Sequence, residues 1–444
     1  MGIKGPFPAM LKSSAKRMKV RKAIGDQSHF DDFLKGVSRP VVGLDMMVSI
    51  VSAVKSERGA EEYHQSPPVP AHHVALACLQ LVRKLNRANV AVIPVFDEIS
   101  RHPLKAAGAG VARNRDAEKA QMALDGLLEL PWPKSKQKQR AILKKIKSKR
   151  RAAASVSPAI VAEVMRVFRE NDVQFVVAPF EADWQLAYML NVGLVHAIAS
   201  TDSDFWALLD APCLLINLST GDLKAHFAVD QLHDLCWHSS CSVQRISKHP
   251  HMTRFGAIVR AAVYGNDYFA GIRGLGEKRL EPLMARYSDD ELGLLRHLAA
   301  NHSDFVTAYQ QVHAVYSDAP VFEMKKGRFD VARGMRRFSF TGRIVSHRGL
   351  DFSPASWKRI VGFDPWELLF KKYQGPPDQG PDCVDVALGI WSAKSGRCYH
   401  EFLVPHDQNS DGEDLPFGWD LDFSKCPIHF QPKRSLERWI AVRG

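Results

Sequence analysis

Long apolar runs are missing from this chain: nothing in its 444 residues approaches the roughly 18 consecutive apolar residues of a membrane span, so no helical membrane partner is expected. Cysteine is sparse and odd in number. Seven residues scattered without a repeated spacing argue against a disulfide framework and for free thiols in a reducing, intracellular compartment. The N-terminus has no apolar leader core, and its first 25 residues contain neither Asp nor Glu. Their Lys and Arg suit a transit peptide. Met1-Gly2 suits a myristoyl acceptor, but Pro6 stands where that acceptor wants Ser or Thr. Acid is in deficit overall, with 60 Lys and Arg against 48 Asp and Glu, a formal charge of +12 and a pI near 9.3. This favours a polyanionic partner such as nucleic acid over a small acidic molecule. What is present is ordinary globular material, 45% hydrophobic and 24% charged, enough for one large α/β domain with a smaller companion or for two to three average domains.

The acids that do occur are grouped. Between Val173 and Leu209 four carboxylates fall in two short windows, Glu181 with Asp183 and Asp202 with Asp204. Each pair follows an apolar run that reads as a buried strand, Val173 to Ala178 and Val195 to Ser200, with an amphipathic helix between, a βαβ unit. Parallel sheets present ligands at the carboxyl ends of their strands, where both pairs lie. Four like charges there repel unless a cation holds them, so the spacing predicts a divalent metal site.

The same arrangement recurs upstream. VVGLD predicts a strand over Val41–Asp45, followed by a helix to Lys55, a polar loop from Glu57 to Pro70 without regular structure, and a helix from His72 to Asn86. VAVIPVF then predicts a strand ending at Asp97. One sheet is therefore expected to deliver Asp45, Asp97 and the two later pairs to one edge. An insert from His102 to Ser157 follows, and its stretch Lys134–Arg151 holds ten Lys or Arg, Lys144 and Lys145 among them, and no acid. Such a run is commonly a solvated face or an import signal; its position next to an acidic edge favours a grip on phosphates. Beyond Asp204, Cys213 to Asn217 and LSTGDLKAHFAV read as a strand and hairpin, and Phe255 to Tyr264 as a helix. His233, Cys236, His238 and Cys241 could ligate zinc, but the single residue between the inner pair and the helical surroundings argue against it. Gly271-Ile272-Arg273-Gly274-Leu275-Gly276 is a helix-hairpin-helix signature whose N–H groups can meet a phosphate, with Lys278 and Arg279 following. Past Phe329 five of the nine Trp occur, which predicts a small core, with Val384–Trp391 and Arg397–Val404 as paired strands.

With these motifs in view, the first 330 or so residues resemble the flap endonuclease / XPG family of structure-specific 5′ nucleases. MGIKG is similar to the family's start, a resemblance that displaces the transit-peptide and myristoyl readings; VAPFEADWQLAYM and ASTDSDFWAL are similar to its two acidic motifs, and YGNDYFAGIRGLGEKR to its distal aspartate and DNA clamp. The wording around Val173–Asp204 resembles the 5′ to 3′ exonuclease branch. The resemblance implies an α/β, parallel-sheet, PIN-like nuclease core over 1–335. That core would comprise an N-terminal region 1–125, a helical arch insert 102–157, an internal region 158–245 and a helix-two-turn-helix clamp 255–300. A small α+β or β-rich module would occupy 336–444.

Carried over by position, the active-site carboxylates would be Asp45, Asp97, Glu181, Asp183, Asp202, Asp204 and Asp267. Lys105 and Arg113 or Arg115 would steer phosphates, Gly2 would lie near the active site, and the Gly271–Gly276 turn would hold duplex phosphates with a potassium ion. The implied chemistry is phosphodiester hydrolysis with two Mg²⁺ ions, Mn²⁺ substituting, leaving 5′-phosphate products. Glu181, Asp183 and Asp202 would be direct ligands and the other four direct or water-mediated. Partners would be DNA with 5′ ends, flaps or junctions, RNA as an open alternative, and a protein partner through 336–444, in the nucleus of a eukaryote. Two positions depart from the family pattern. Val51 stands where many members place an aromatic or His, and Glu98 where Gly is usual; no clear sliding-clamp peptide is seen. The rival reading is a catalytically silent nucleic-acid-binding scaffold of the same fold, against which the completeness of the acidic set weighs.

Overall fold

Three runs that end in acid lie side by side and parallel in a computed structural model, which describes residues 3–5, 16–19, 41–65, 72–87, 90–97, 105, 111–200, 202–209, 214–217, 226–230, 254–330, 335–362 and 401–405. Its main sheet contains β1 (Lys16–Lys19), β2 (Val41–Asp45), β3 (Ala91–Phe96), β4 (Val176–Val177), β5 (Ala197–Ala199), β6 (Leu214–Asn217) and β7 (His226–Asp230). The order is β1-β7-β6-β5-β2-β3-β4. Strands β6, β5, β2, β3 and β4 are parallel, and β7 and β1 close one side as an antiparallel edge. The predicted strand over 173–178 shortens to two residues for a local reason. Asp172 takes a positive φ of 55°, and the Val173 N–H still donates to Phe168 O of the preceding helix at 2.9 Å.

Helices cover both faces, as buried parallel strands require. They are α1 (Met46–Val54), α2 (Glu57–Tyr63), α3 (His72–Arg87), α4 (Val111–Leu128), α5 (Lys136–Ala153), α6 (Pro158–Glu170), α7 (Ala182–Asn191), α8 (Phe205–Leu208), α9 (Arg254–Tyr264), α10 (Glu277–Arg286), α11 (Glu291–Asn301), α12 (Phe305–Ser317) and α13 (Pro354–Val361). Period-2 alternation splits the strands between two cores. Val41, Ile93 and Val95 join the side chains of α7, α9 and α12, while Val42, Leu44 and Phe96 join those of α1, α3 and α6.

The stretch after Glu57, expected to be irregular, begins with the helix α2 instead. Ser56 caps it by accepting from the Gly59 N–H at 3.1 Å, and apart from Gly59 the pattern ERGAEEY consists of helix-tolerant residues with no proline before Gln65. The proline-rich remainder lies outside the described residues. Helix α2 also explains how the basic insert is held. Glu57 pairs with Lys147 and Arg151, Tyr63 Oη meets Ser155 Oγ at 3.1 Å, and His64 Nε2 meets Arg150 O at 3.1 Å. The insert itself is a hairpin of the two 18-residue helices α4 and α5, as the arch expectation required.

A second sheet, in order β10-β9-β8, combines β8 (Pro320–Asp330), β9 (Met335–Ser346) and β10 (Glu401–Pro405), all antiparallel. The division expected at 335/336 falls inside the β8–β9 hairpin, and Trp357 and Val361 of α13 belong to the same core as α7 and α9. A cut there would remove a paired strand and part of the main core. Of the strand expected over Arg397–Val404, residues 401–404 lie in β10, paired with β9; 397–400 and the expected mate at 384–391 lie outside the described residues.

Helix α2 is wedged tightly enough to test. A Cβ at Gly59 would sit 2.1 Å from the Ala53 carbonyl oxygen. Gly59→Ala is expected to destabilise the protein by about 1–3 kcal/mol, read as a lower urea midpoint with an unchanged m-value.

Candidate metal centre

The carboxyl ends of the parallel strands bring six carboxylates to one edge, and the turn after α9 adds Asp267 beside Glu181 and Asp204. Asp45 ends β2 and caps α1, Asp97 follows β3, Glu181 and Asp183 open α7 after β4, Asp202 and Asp204 follow β5, and Asp267 lies in the turn after α9. Asp45, Glu181, Asp183, Asp204 and Asp267 are buried, and Asp97 and Asp202 half-buried. Oxygens of Asp183, Asp202 and Asp204 all lie within 4.8 Å of one another. This is an all-oxygen donor set without His or Cys, which suits a hard divalent cation rather than zinc.

Four of the carboxylates are aimed by hydrogen bonds. Asp45 Oδ1 accepts from the N–H groups of Met47 (3.0 Å) and Val48 (3.3 Å), and Oδ2 from Ser200 Oγ (2.8 Å). Asp97 Oδ1 accepts from the Ala182 N–H at 2.7 Å, tying β3 to the start of α7. Asp202 Oδ1 accepts from the Asp204 N–H at 3.1 Å, and Asp204 Oδ1 from Tyr316 Oη at 2.8 Å. None of Ser200, Tyr316 and Ala182 was singled out from sequence. Their partners are 85 to 155 residues away, and no local pattern marks such a bond.

Two cations answer the charge. Lys105 Nζ donates to Glu181 and sits 5.2 Å from the Tyr268 ring centroid, and Arg113 donates to Asp267. In this structure, therefore, Glu181 is engaged by Lys105, and Asp204 completes the three-carboxylate group. Arg115, two residues along α4 from Arg113, is exposed. Burial pushes Asp45 up to about 7 and Glu181 up to about 8, with Asp97 adding to both and Lys105 opposing the rise at Glu181. Asp183 and Asp204 rise well above the ordinary carboxylate range, through burial first and then the neighbouring charge of Asp202. Asp97 is also raised, by burial. Burial alone would depress Lys105, but Glu181, Asp97, Asp183 and Asp267 overcome it and hold the ammonium charged.

Around this centre the clamp is built on close backbone approach. Gly265 and Gly271 both have positive φ, 82° and 85°, and a Cβ on Gly271 would lie 2.6 Å from the Gly265 nitrogen. The turn then runs through exposed Arg273, Gly274 and Gly276 into α10, where Lys278 and Arg279 are exposed. Fully buried Arg260 of α9 binds both carboxylate oxygens of Glu281 in α10, at 2.9 and 2.7 Å, fixing the two helices together. The Ile3 N–H donates to Ser203 Oγ and the Lys4 N–H to Gly265 O, each at 2.9 Å, so the segment next to Gly2 touches both the acidic loop and the clamp. Gly2, Glu98 and the His233, Cys236, His238 and Cys241 cluster lie outside the described residues. Lys144 and Lys145 are exposed on α5, and Val51 is half-buried on α1.

A family model described as XPG I-region matches residues 172–267, the span that holds five of the seven carboxylates. The chain is 30% identical to exonuclease 1 of Arabidopsis thaliana over 146 residues, 33% of this chain and 18% of that protein. It is 27% identical to flap endonuclease 1 of Korarchaeum cryptofilum over 214 residues, 47% of this chain and 58% of that protein. It thus spans less than two thirds of the length of either relative, 18% and 58%. Among solved structures, the catalytic core of Rad2 in complex with DNA substrate matches over 83% of this chain and 99% of that chain, with 14% identity and a TM-score of 0.42. Over these spans the chain is similar to proteins of the flap endonuclease / XPG family, in line with the resemblance of its motifs.

The raised carboxylates fix the sign of a pH effect. Asp45 moves from 3.8 to about 7 and Glu181 from 4.5 to about 8, so each contributes stability that is complete below the unfolded value and is lost as pH rises through the folded one. In EDTA, Tm is expected to fall between pH 5.5 and 8.5, and MgCl₂ to raise Tm more at pH 8.5 than at 5.5. Asp183→Asn is expected to raise the EDTA Tm at pH 8.5, by about 2–4 °C for each kcal/mol of repulsion relieved. Differential scanning fluorimetry over this pH series checks all three.

Proposed function

We propose that this chain is a structure-specific nuclease that hydrolyses DNA phosphodiesters at 5′ ends, flaps or junctions. The observation that carries this reading is the gathering of six carboxylates at one sheet edge with Asp267 from the turn after α9, Asp183, Asp202 and Asp204 lying within 4.8 Å of one another. Bound there, two Mg²⁺ ions, or Mn²⁺ in their place, would supply a water of lowered pKa and stabilise charge on the departing 3′ oxygen.

The rest is work for the chain itself. Asp183, Asp202 and Asp204 bind the cations, while Asp45 and Asp97, held by backbone N–H groups, keep their remaining lone pairs turned to the same edge. Lys105 and Arg113 rest on Glu181 and Asp267, where each can pass from a carboxylate to a phosphate oxygen of similar geometry. The Gly271–Gly276 turn, exposed at Arg273, Gly274 and Gly276, takes duplex phosphates together with Lys278 and Arg279, with K⁺ as an added counter-charge. The exposed cations of α5, including Lys144 and Lys145, draw a single strand toward an edge that would otherwise repel it.

The purified chain is to be incubated with labelled 5′ flap, blunt duplex, gapped, Holliday-junction and RNA substrates, in Mg²⁺ or EDTA. Metal-dependent cleavage yielding 5′-phosphate ends is expected, reduced roughly 100-fold or more in Asp202→Ala. Binding without cleavage of any substrate, or equal cleavage by the variant, would establish the silent scaffold instead. Replacing Lys144 and Lys145 with Gln is expected to shallow the log–log salt dependence of DNA binding by about 0.7–0.9 for each phosphate that these side chains neutralise. An unchanged slope removes these residues from the nucleic-acid path.

A further inference from the structure

Asp204 is held by a hydrogen-bond chain with a single direction. Asn266 Oδ1 accepts from the backbone N–H groups of Tyr268 and Phe269, both at 2.8 Å, in the turn that carries Asp267. Those two donors settle the orientation of the amide, so its Nδ2–H is the group facing Tyr316 Oη, at 3.0 Å. The phenol oxygen is thereby an acceptor toward Asn266, and its own proton is committed to Asp204 Oδ1 at 2.8 Å. Tyr316, Asn266 and Asp204 are all buried, at 0, 1 and 2% exposure, so water does not substitute for any link. The chain joins the Asp267 turn to the Asp202–Asp204 loop.

We propose that Tyr316 is a positioning residue of the acidic centre: its hydroxyl, oriented by Asn266, fixes one oxygen of Asp204 so that the carboxylate presents its other oxygen beside Asp183 and Asp202. The inference rests on reading the centre as a divalent-cation site. A buried phenol needs an acceptor in any protein, so the bond alone does not separate aiming from simple satisfaction. The separation comes from the independent anchoring of Tyr316. Its carbonyl accepts from Arg254 Nη2 at 2.6 Å, and that arginine also binds Ala207 O and Ser317 Oγ, each at 2.8 Å. Helix α12 is thus tied to the residues after Asp204 without the hydroxyl, and the ring stays packed when the oxygen is removed. Partners that orient metal ligands commonly change metal affinity 10–100-fold when lost.

The test titrates MnCl₂ into the full chain by calorimetry without DNA, comparing wild type, Tyr316→Phe and Tyr309→Phe, the last as the control for removing a buried hydroxyl from the same helix. Tyr316→Phe is expected to weaken Mn²⁺ binding about 10-fold or more. Its Tm in EDTA should fall only modestly, by the cost of leaving the Asn266 amide and Asp204 Oδ1 without the hydroxyl, and its cleavage rate should recover as Mg²⁺ is raised to saturation. Tyr309→Phe should bind Mn²⁺ as wild type does. Mn²⁺ affinity within twofold of wild type in Tyr316→Phe overturns the proposal. So does a marked fall of its EDTA Tm with activity lost at every metal concentration, which would assign the hydroxyl to the fold. If wild type itself binds no Mn²⁺, the reading of the centre fails, and the inference fails with it.

Discussion

Mutual repulsion among buried carboxylates is the constraint on which this molecule turns. A parallel sheet aligns the carboxyl ends of its strands, and here β2, β3, β4 and β5 each end or hand over at an acid. The geometry that makes the edge useful also makes it costly without a cation, which is why burial and neighbouring charge raise Asp45, Glu181, Asp183 and Asp204 together. Lys105 and Arg113 relieve part of that charge from a second direction, entering from the insert rather than from the sheet.

The same tension explains the division of labour around the edge. Sheet and helix starts supply acids, whereas the arch and clamp supply cations and N–H groups. Helix α5 carries its cations on a scaffold held from below by α2, where Glu57 engages Lys147 and Arg151. These pairs are surface ones and contribute little each; the pairing of buried Arg260 with half-buried Glu281 acts elsewhere, between α9 and α10. The result is an edge of one sign framed by surfaces of the other, the distribution a polyanionic substrate needs to reach an acidic centre.

Much of this was legible in one dimension. Strand ends announce themselves as apolar runs closing on an acid, so Asp45, Asp97 and the 181/183 and 202/204 pairs are marked in the sequence itself. Asp267 and the glycine turn were marked by their local spacing. The helix α2 was missed because the prolines after Gln65 dominated a window whose first half is capped and helix-competent. Tyr316 and Ser200 were invisible for a different reason. A lone Tyr on an apolar helix face and a Ser after a strand have no periodic signature, and their partners are 112 and 155 residues away.

Helix α7 has a second attachment that bears on the centre. Gln185 exchanges two hydrogen bonds with the backbone of Phe322, at 3.1 and 2.9 Å, and Tyr188 does the same with Met324, at 3.3 and 3.0 Å. The side chains of α7 thus stand in for a neighbouring strand along β8, at the site of its bulge between Phe322 and Met324. Amide and phenol groups match that backbone in one register only, since a slip of one residue would leave buried donors and acceptors facing the wrong groups. The hairpin therefore serves as a ruler for α7. It sets how far the helix can slide along its own axis, and so the depth at which Glu181 and Asp183 enter the acidic edge.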